Sequence, residues 1–315
     1  MELIRGIHNL KPRHYGCVLT IGNFDGFHRG HQAIISELQA EGIRRSLPIM
    51  VMIFEPQPQE YFSGTNAQAR LTRLRDKVKY LADAGVDHIL CVAFDKKFSS
   101  ISANQFLLDL IVTKLGVRFI CVGDDFRFGT QRNGNFTFLK NTGSQVGLEV
   151  MRIITYTEGG QRISSTAIRT ALLQDRISDA EILLGHVYRL SGRVISGDAL
   201  GRKIGFPTVN LSLKGLPAPL NGVYAVEVLT TNHKYPLRGV ANIGTRPTVT
   251  GNGPSKQHME VHLLDVTLNL YGCYLEVFIR AKVRNEQRFA SIEELKLQIA
   301  NDVVKTRNYF DMVQS

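Results

Sequence analysis

Two histidines flanking a glycine, His28-Arg29-Gly30-His31, close the stretch Thr20-Ile21-Gly22-Asn23-Phe24-Asp25-Gly26-Phe27. Imidazoles at that spacing can hold the oxygens of a phosphate whose charge grows in a transition state. Gly30 leaves room for a phosphate backbone to approach closely. The apolar run Cys17-Val18-Leu19 ahead of them reads as a buried strand, and Ala33-Ile34-Ile35 with Leu38 behind them carries helical spacing. The histidines thus fall where a strand becomes a helix. A helix's first turn offers unpaired N–H groups and the positive end of the macrodipole to an anion. A surface turn with incidental histidines would give the same string, so the reading rests on that context. It assigns His28 and His31 to catalysis and Gly22, Asn23, Phe24 and Gly30 to phosphate binding.

Three other groups carry chemistry. In Ile163-Ser164-Ser165-Thr166-Ala167-Ile168-Arg169, Ser164 or Ser165 is an N-cap candidate for a helix through Leu172-Leu173, and Arg169 lies one turn on. Hydroxyls, helix-start N–H groups and a guanidinium form a second anion cradle, although an ordinary capped helix has the same look. In Gly201-Arg202-Lys203-Ile204-Gly205-Phe206-Pro207-Thr208-Val209-Asn210, two glycines and two cations precede a stiffening proline. Thr208 and Asn210 alternate with Val209, so a strand projects both to one side. A hydroxyl and an amide oxygen there suit Mg²⁺, though a plain turn with a buried threonine would also fit. In Met259-Glu260-Val261-His262, Glu260 and His262 share the polar face of a strand, which makes Glu260 a general-base candidate.

The elements that position these groups divide in two near residue 184. Before it, short apolar runs at 17–21, 49–54, 89–94, 117–122 and 150–154 alternate with amphipathic segments such as Leu74, Val78 and Leu81, or Phe106, Leu107, Leu110 and Ile111. Continuous apolar strands separated by helices predict a parallel sheet covered on both faces, a Rossmann-like α/β domain with ligands at the strands' carboxyl ends. Residues 23–31, Phe54-Glu55-Pro56-Gln57-Pro58 and Gly123-Asp124-Asp125-Phe126-Arg127-Phe128-Gly129 all lie at such ends. After it come short strands (187–195, 223–229, 237–243, 259–264, 275–283) with turn signals at Asn221-Gly222, Gly251-Asn252-Gly253-Pro254 and Tyr271-Gly272. These predict an antiparallel barrel. Ser291-Ile292-Glu293-Glu294 opens a terminal helix towards Tyr309. The expected domains are 1–184 and 185–315.

At 315 residues, 43% hydrophobic and 21% charged, the chain suits two ordinary cores. No apolar run reaches membrane-spanning length and the N-terminus lacks a signal-peptide core, which predicts a cytoplasmic protein with no membrane partner. Cys17, Cys91, Cys121 and Cys273 show no metal-ligand spacing and read as core residues. A net charge of +10 fits nucleic acid or small polyphosphates. Its clusters, including Arg70, Arg73, Arg75, Lys77 and Lys79, read as solvated faces with no nucleic-acid recognition motif.

In their joint order these motifs resemble the bacterial bifunctional riboflavin kinase/FAD synthetase family over essentially the whole chain. The second half adds Gly239-Val240-Ala241-Asn242-Ile243-Gly244-Thr245-Arg246-Pro247-Thr248 and Arg284-Asn285-Glu286-Gln287-Arg288-Phe289. The resemblance implies a barrel kinase that converts riboflavin and MgATP to FMN, and an α/β nucleotidyltransferase that converts FMN and MgATP to FAD. By that analogy Thr208 and Asn210 hold Mg²⁺ and phosphates, helped by Gly201, Lys203, Gly205 and Pro207, and Glu260 takes the ribityl proton. His28 and His31 steady the α-phosphate, while Ser164, Ser165, Thr166 and Arg169 hold the departing phosphates. Phe54, Pro56, Pro58, Asp125, Phe126, Phe128, Arg284 and Glu286 bind flavin. Gln57 stands where many members carry His, and Val209 where many carry Ala. The expected partners are ATP, riboflavin and FMN, with FAD as product and no nucleic acid, for a monomer or weak homo-oligomer.

Overall fold

The computed structural model describes residues 1–153, 157–158, 161–197, 200–213, 217–230, 233–246 and 256–314. Two compact units emerge: Met1–Gln68 with Thr72–Ser165, and Ala69–Leu71 with Thr166–Ser315.

The first unit is built on strands β1 (Glu2–Arg5), β2 (Val18–Ile21), β3 (Ile49–Glu55), β4 (His88–Ala93), β5 (Phe119–Gly123) and β6 (Glu149–Ile153). Their order is β1-β4-β3-β2-β5-β6, and every pair is parallel. Both faces are covered, which is why the central strands are apolar throughout. Val18, Val51 and Ile53 pack with Ile35 and Leu38 of α1 (Arg29–Arg45) and Leu81 of α3 (Leu74–Asp83). Leu19, Met50 and Met52 pack on the other side with Phe106, Leu107, Leu110 and Ile111 of a π-helical segment (Gln105–Lys114) and Leu139 of α5 (Phe136–Gln145). Short helices α2 (Pro58–Ser63) and α4 (Lys96–Ser99) follow β3 and β4, and a small hairpin pairs β7 (Thr157–Glu158) with β8 (Gln161–Arg162). The chain leaves β2 for β3 on one side and places β5 on the other, so the sheet's switch point falls at the carboxyl end of β2. The five sequence-predicted strands are present. The edge strand β1 was missed, and Ile154 lies outside the described residues.

The second unit holds a closed antiparallel barrel of β9 (Arg189–Ile195), β10 (Thr208–Leu211), β11 (Gly222–Thr230), β12 (His233–Arg246), β13 (Lys256–Leu263) and β14 (Tyr274–Arg284), ordered β10-β13-β12-β11-β14-β9. Val226, Val228, Ala241, Ile243, Met259, Val261, Val277 and Ile279 are fully buried within this unit. Helices α6 (Ser165–Leu173) and α7 (Ile177–Leu184) lie ahead of the barrel, the one-turn α8 (Leu200–Lys203) falls between β9 and β10, and α9 (Ile292–Gln314) ends the chain. The predicted turn at 251–254 and Pro247-Thr248 lie outside the described residues. Compactness divides the chain at Ser165/Thr166, whereas the sequence pattern changes near 184.

Candidate active sites

The loop from β2 to α1 is held in a strained shape. Phe24 and Phe27 are left-handed (φ 48° and 44°), a region that bulky residues seldom enter. Buried Asp25 fixes them: its Oδ1 accepts from the Thr72 backbone N–H at 2.9 Å and the Thr72 hydroxyl at 3.0 Å. The Thr72 hydroxyl in turn accepts from the Gly26 N–H at 2.9 Å, and the Ser165 hydroxyl donates to the Asp25 carbonyl at 2.9 Å. Gly22 ties back to the sheet through its N–H on the Met52 carbonyl.

That loop delivers His28 as the N-cap of α1, with Nδ1 accepting from the His31 N–H at 3.3 Å. A neutral ring that accepts at Nδ1 carries its proton on Nε2, which leaves an N–H donor. The His28 and His31 rings stack at 3.6 Å, and Phe24 lies 4.8 Å from His31. Burial, then the facing His28 and Lys77, hold the His31 pKa well below the usual imidazole range. His31 is therefore a neutral ring, and its Nδ1 is buried without a hydrogen-bond partner.

Lys77 corrects the sequence reading, which placed its cluster on a solvated face. It is fully buried, and Arg70 is nearly so. The signal was present: Lys77 occupies the i+3 position of the Leu74-Lys77-Val78-Leu81 apolar stripe.

The other two strand ends supply aromatic surface. Phe54 meets Phe94 at 5.7 Å and Phe98 at 5.6 Å, and Tyr61 and Phe62 also reach Phe94. Sequence reading singled out Phe54 and missed the other four, which are scattered over two strand ends with no motif. Pro56 follows a cis peptide bond and Pro58 opens α2. Gln57 between them is buried, and its Nε2 has no partner. Phe126 stacks on Phe128 at 5.4 Å, and Phe128 is itself core, against Phe106. Asp125 is exposed and pairs with Arg162 at 3.1 Å. Ser164 immediately precedes α6, as an N-cap must, and Thr166 lies in that helix's first turn. Arg169 donates to the Ala69 carbonyl at 2.6 Å.

In the barrel, pairing register builds the second site. Thr208 lies opposite His262, and Asn210 opposite Glu260. On the other flank of β13, Asn242 lies opposite Glu260. Directly opposed residues project to one face, so a hydroxyl, two amides, a carboxylate and an imidazole share it. Burial alternates along β13 as predicted, with Met259, Val261 and Leu263 inward. Asn242 had no assigned role in the sequence reading, because only cross-strand register brings it to Glu260. A cavity of about 320 Å³ is lined by Pro207 and Thr208 together with Val209, Val261 and Leu263 of the opposite, apolar strand face.

Glycines shape the approach. A Cβ at Gly201 would strike the Phe206 carbonyl, and one at Gly197 the Asn210 amide. Gly205 sits at φ +92°. Lys203 ends α8, and its side chain is outside those described. Arg284 is engaged by buried Asp302 of α9 through its Nε at 2.9–3.0 Å, and the Glu286 carboxylate lies against Gly244.

Among the described residues one group, Glu2, His14 and His88, has the makeup of a metal centre. The Lys11 N–H donates to His14 Nδ1 at 3.0 Å, so the neutral ring's proton sits on Nε2, 3.2 Å from Glu2. That nitrogen has no lone pair for a metal, and Arg13 with His14 holds the Glu2 carboxyl down at about 2. It is a hydrogen-bonded cluster. Burial pushes the Cys17 and Cys121 thiols up to about 12, in keeping with core roles.

A parallel α/β domain with an imidazole-capped helix, followed by a six-stranded barrel with a polar row, defines a nucleotide-handling enzyme of two parts. Family models described as FAD synthetase and riboflavin kinase match residues 10–167 and 184–310. The chain is 56% identical over 315 residues to the bifunctional riboflavin kinase/FMN adenylyltransferase of Escherichia coli K12, covering 100% of this chain and 99% of that protein. It is 48% identical over 307 residues to the protein of the same description from Pseudomonas fluorescens, covering 98% and 97%. It therefore belongs to the bifunctional riboflavin kinase/FMN adenylyltransferase family. A crystal structure of a Streptococcus pneumoniae protein described as a macrolide-efflux protein has the same fold, with TM-score 0.81 and 28% identity over 98% of each chain. Among the described residues of this chain, no helix is long and apolar enough to cross a membrane.

Proposed function

We propose that the protein makes FAD from riboflavin in two steps, each run by its own site, with ATP the phosphate or adenylyl donor in both. The barrel, assigned to residues 185–315, phosphorylates riboflavin to FMN with release of ADP. The α/β domain, assigned to residues 1–184, adenylylates FMN to FAD with release of pyrophosphate. Both reactions rest on positioning and charge stabilisation and need no protein nucleophile.

In the barrel, Glu260 accepts the proton of the ribityl 5′-hydroxyl as that oxygen attacks the γ-phosphorus, and ADP leaves. Thr208 and Asn210 offer hard oxygen donors beside that carboxylate, a set that fits Mg²⁺. The ion would neutralise charge on the nucleotide phosphates. In the α/β domain, His28 and His31 donate to the α-phosphate oxygens while an FMN phosphate oxygen attacks. Ser164, Ser165, Thr166 and Arg169 hold the departing pyrophosphate. Phe54, Pro56, Pro58, Phe126 and Phe128 form an aromatic and apolar wall for the isoalloxazine ring, and Asp125 lies at its rim. Gly22, Asn23, Phe24 and Gly30 shape the nucleotide's approach. Gly201, Lys203, Gly205 and Pro207 do so in the barrel, where Arg284 and Glu286 stand on the flavin side. The substrates are soluble small molecules, in keeping with a cytoplasmic monomer or weak homo-oligomer.

The observation that carries this reading is the presence of both polar constellations in one chain: the His28–His31 stack and the Thr208–Asn210–Glu260 row. A chromatographic time course with riboflavin, ATP and Mg²⁺ tests it. FMN should appear before FAD, with ADP and pyrophosphate in step. FAD formed only from supplied FMN would leave the kinase assignment wrong.

A further inference from the structure

We propose that His262 is the positioning residue of the phosphoryl-transfer site, holding the backbone that presents Thr208 and Asn210. The inference rests on the reading above, that those two side chains serve the nucleotide phosphates. His262 Nδ1 lies 2.9 Å from the Pro207 carbonyl oxygen. A carbonyl can only accept, so Nδ1 carries a proton and donates it. Pro207 has no N–H, and its carbonyl is the one backbone polar group it can offer as an anchor. The bond reaches across the β10–β13 pair, where His262 stands opposite Thr208, the next residue after Pro207.

A second contact comes from Phe206, whose ring meets the His262 ring edge-on at 5.5 Å. His262 thus grips both residues that lead into β10. What precedes them cannot do this alone. Gly205 is left-handed (φ +92°), and a glycine at that point leaves the entry free to swing unless something holds it. The Phe206 N–H on the Gly201 carbonyl at 2.8 Å secures one side of the turn, and His262 secures the other. Thr208 and Pro207 also line the cavity of about 320 Å³. Thr208 directly follows Pro207, so a relaxed Pro207 carbonyl would shift Thr208 as well.

His262 shares its strand face with Glu260, two residues away. One strand then carries both the base and the residue that aligns the opposing donors. The ring does not need to touch either substrate for this.

The experiment compares H262F, H262N, H262Q and T208A in the full chain, with FMN adenylylation measured in the same samples. Phe keeps an aromatic ring against Phe206 and loses the donor. Asn places an amide N–H where Nδ1 stands, and Gln places one where Nε2 stands. H262F should lower kcat for riboflavin phosphorylation about 3- to 10-fold, the scale of one lost hydrogen bond. KM for ATP should rise, riboflavin binding should hold by fluorescence quenching, and H262N should recover most of the loss. H262F at wild-type rate, or H262N no better than H262F, would overturn the proposal. If H262F disrupts the barrel, judged by lost riboflavin binding, H262N against H262Q decides. Asn superior supports the donor at Nδ1, and Gln equal or superior overturns it. T208A at full activity would instead show that the underlying reading of Thr208 is wrong.

Discussion

At the scale of single residues, the His28–His31 stack turns on charge. Imidazolium rings 3.6 Å apart, with a buried ammonium facing one of them, would repel, and the site avoids this by keeping His31 neutral. On the proposed function, the pair would meet a phosphate with oriented N–H groups rather than with full positive charge. The cost appears in acid. The folded His31 pKa lies below the unfolded value of about 6.5, so below that pH the unfolded chain takes up a proton that the folded chain refuses. Stability should be complete above about pH 6.5 and drain as pH falls, at up to about 1.4 kcal/mol per pH unit for this group. Thermal unfolding of the first unit between pH 7 and 5 checks this: H31N should show a flatter dependence than the parent, and equal slopes would refute it. In the barrel, Glu260→Gln keeps shape and removes the proton acceptor. Riboflavin phosphorylation should fall about 10²- to 10⁴-fold, while FMN adenylylation in the same sample stays near its original rate. A kinase rate within twofold of the parent would remove Glu260 from the reaction.

At the scale of elements, the loop from β2 to α1 is held from a distance. Asp25 and Thr72 are 47 residues apart, yet their hydrogen bonds keep Phe24 and Phe27 in left-handed backbone. Thr72→Val retains the backbone donor and loses the hydroxyl that both donates to Asp25 and accepts from Gly26. It should cost the first unit about 1–3 kcal/mol and slow adenylylation more than riboflavin phosphorylation. Urea unfolding with both assays measures this, and parallel losses in the two activities would count against a local effect. This clamp also marks where the sequence stopped being legible. The strand-to-helix placement of His28 and His31 followed from apolar runs on either side, and the alternation of Glu260 with Val261 followed from strand period. Both are local patterns. The Asp25–Thr72 clamp, the Asn242–Glu260 pairing and the Arg284–Asp302 ion pair join residues 18 to 47 positions apart, which no period encodes. Strand β1 escaped for another reason: four residues on a sheet edge, Glu-Leu-Ile-Arg, are too few to show a period. Lys77 carries a charge that suggests solvent, yet its place on the apolar stripe of α3 encodes its burial.

At the scale of the whole molecule, the open matter is which part owns the helices between the two folds. The sequence pattern changes after α7, near residue 184, and the riboflavin kinase family model begins there. Contacts draw the line before Thr166. One tie on the barrel side is Asp175, left-handed (φ 58°) in the turn between α6 and α7. It accepts from the Tyr224 hydroxyl at 3.0 Å and pairs with the Lys282 ammonium at 2.7 Å, on β11 and β14 of the barrel. The same Lys282 donates to the Asn221 carbonyl at 2.8 Å, so one carboxylate stabilises the start of β11 and the end of β14 together. Burial and the Asp175 contact push the Tyr224 hydroxyl well above the ordinary phenol range, so it remains a donor at any working pH. A fragment beginning at residue 185 leaves Tyr224 and Lys282 without that carboxylate, while one beginning at 166 keeps it. The shorter fragment should be less stable by about 1–3 kcal/mol, the scale of a partly buried charged hydrogen bond removed from one side. Its kinase activity, once folded, should be close to that of the longer one, because the Thr208–Asn210–Glu260 row lies wholly within both. Asp175→Asn in the 166–315 fragment isolates the cause and should reproduce most of the loss. If the two fragments unfold at the same urea concentration, Asp175 contributes nothing to the barrel, and the helices belong with the first domain, as the sequence pattern had it.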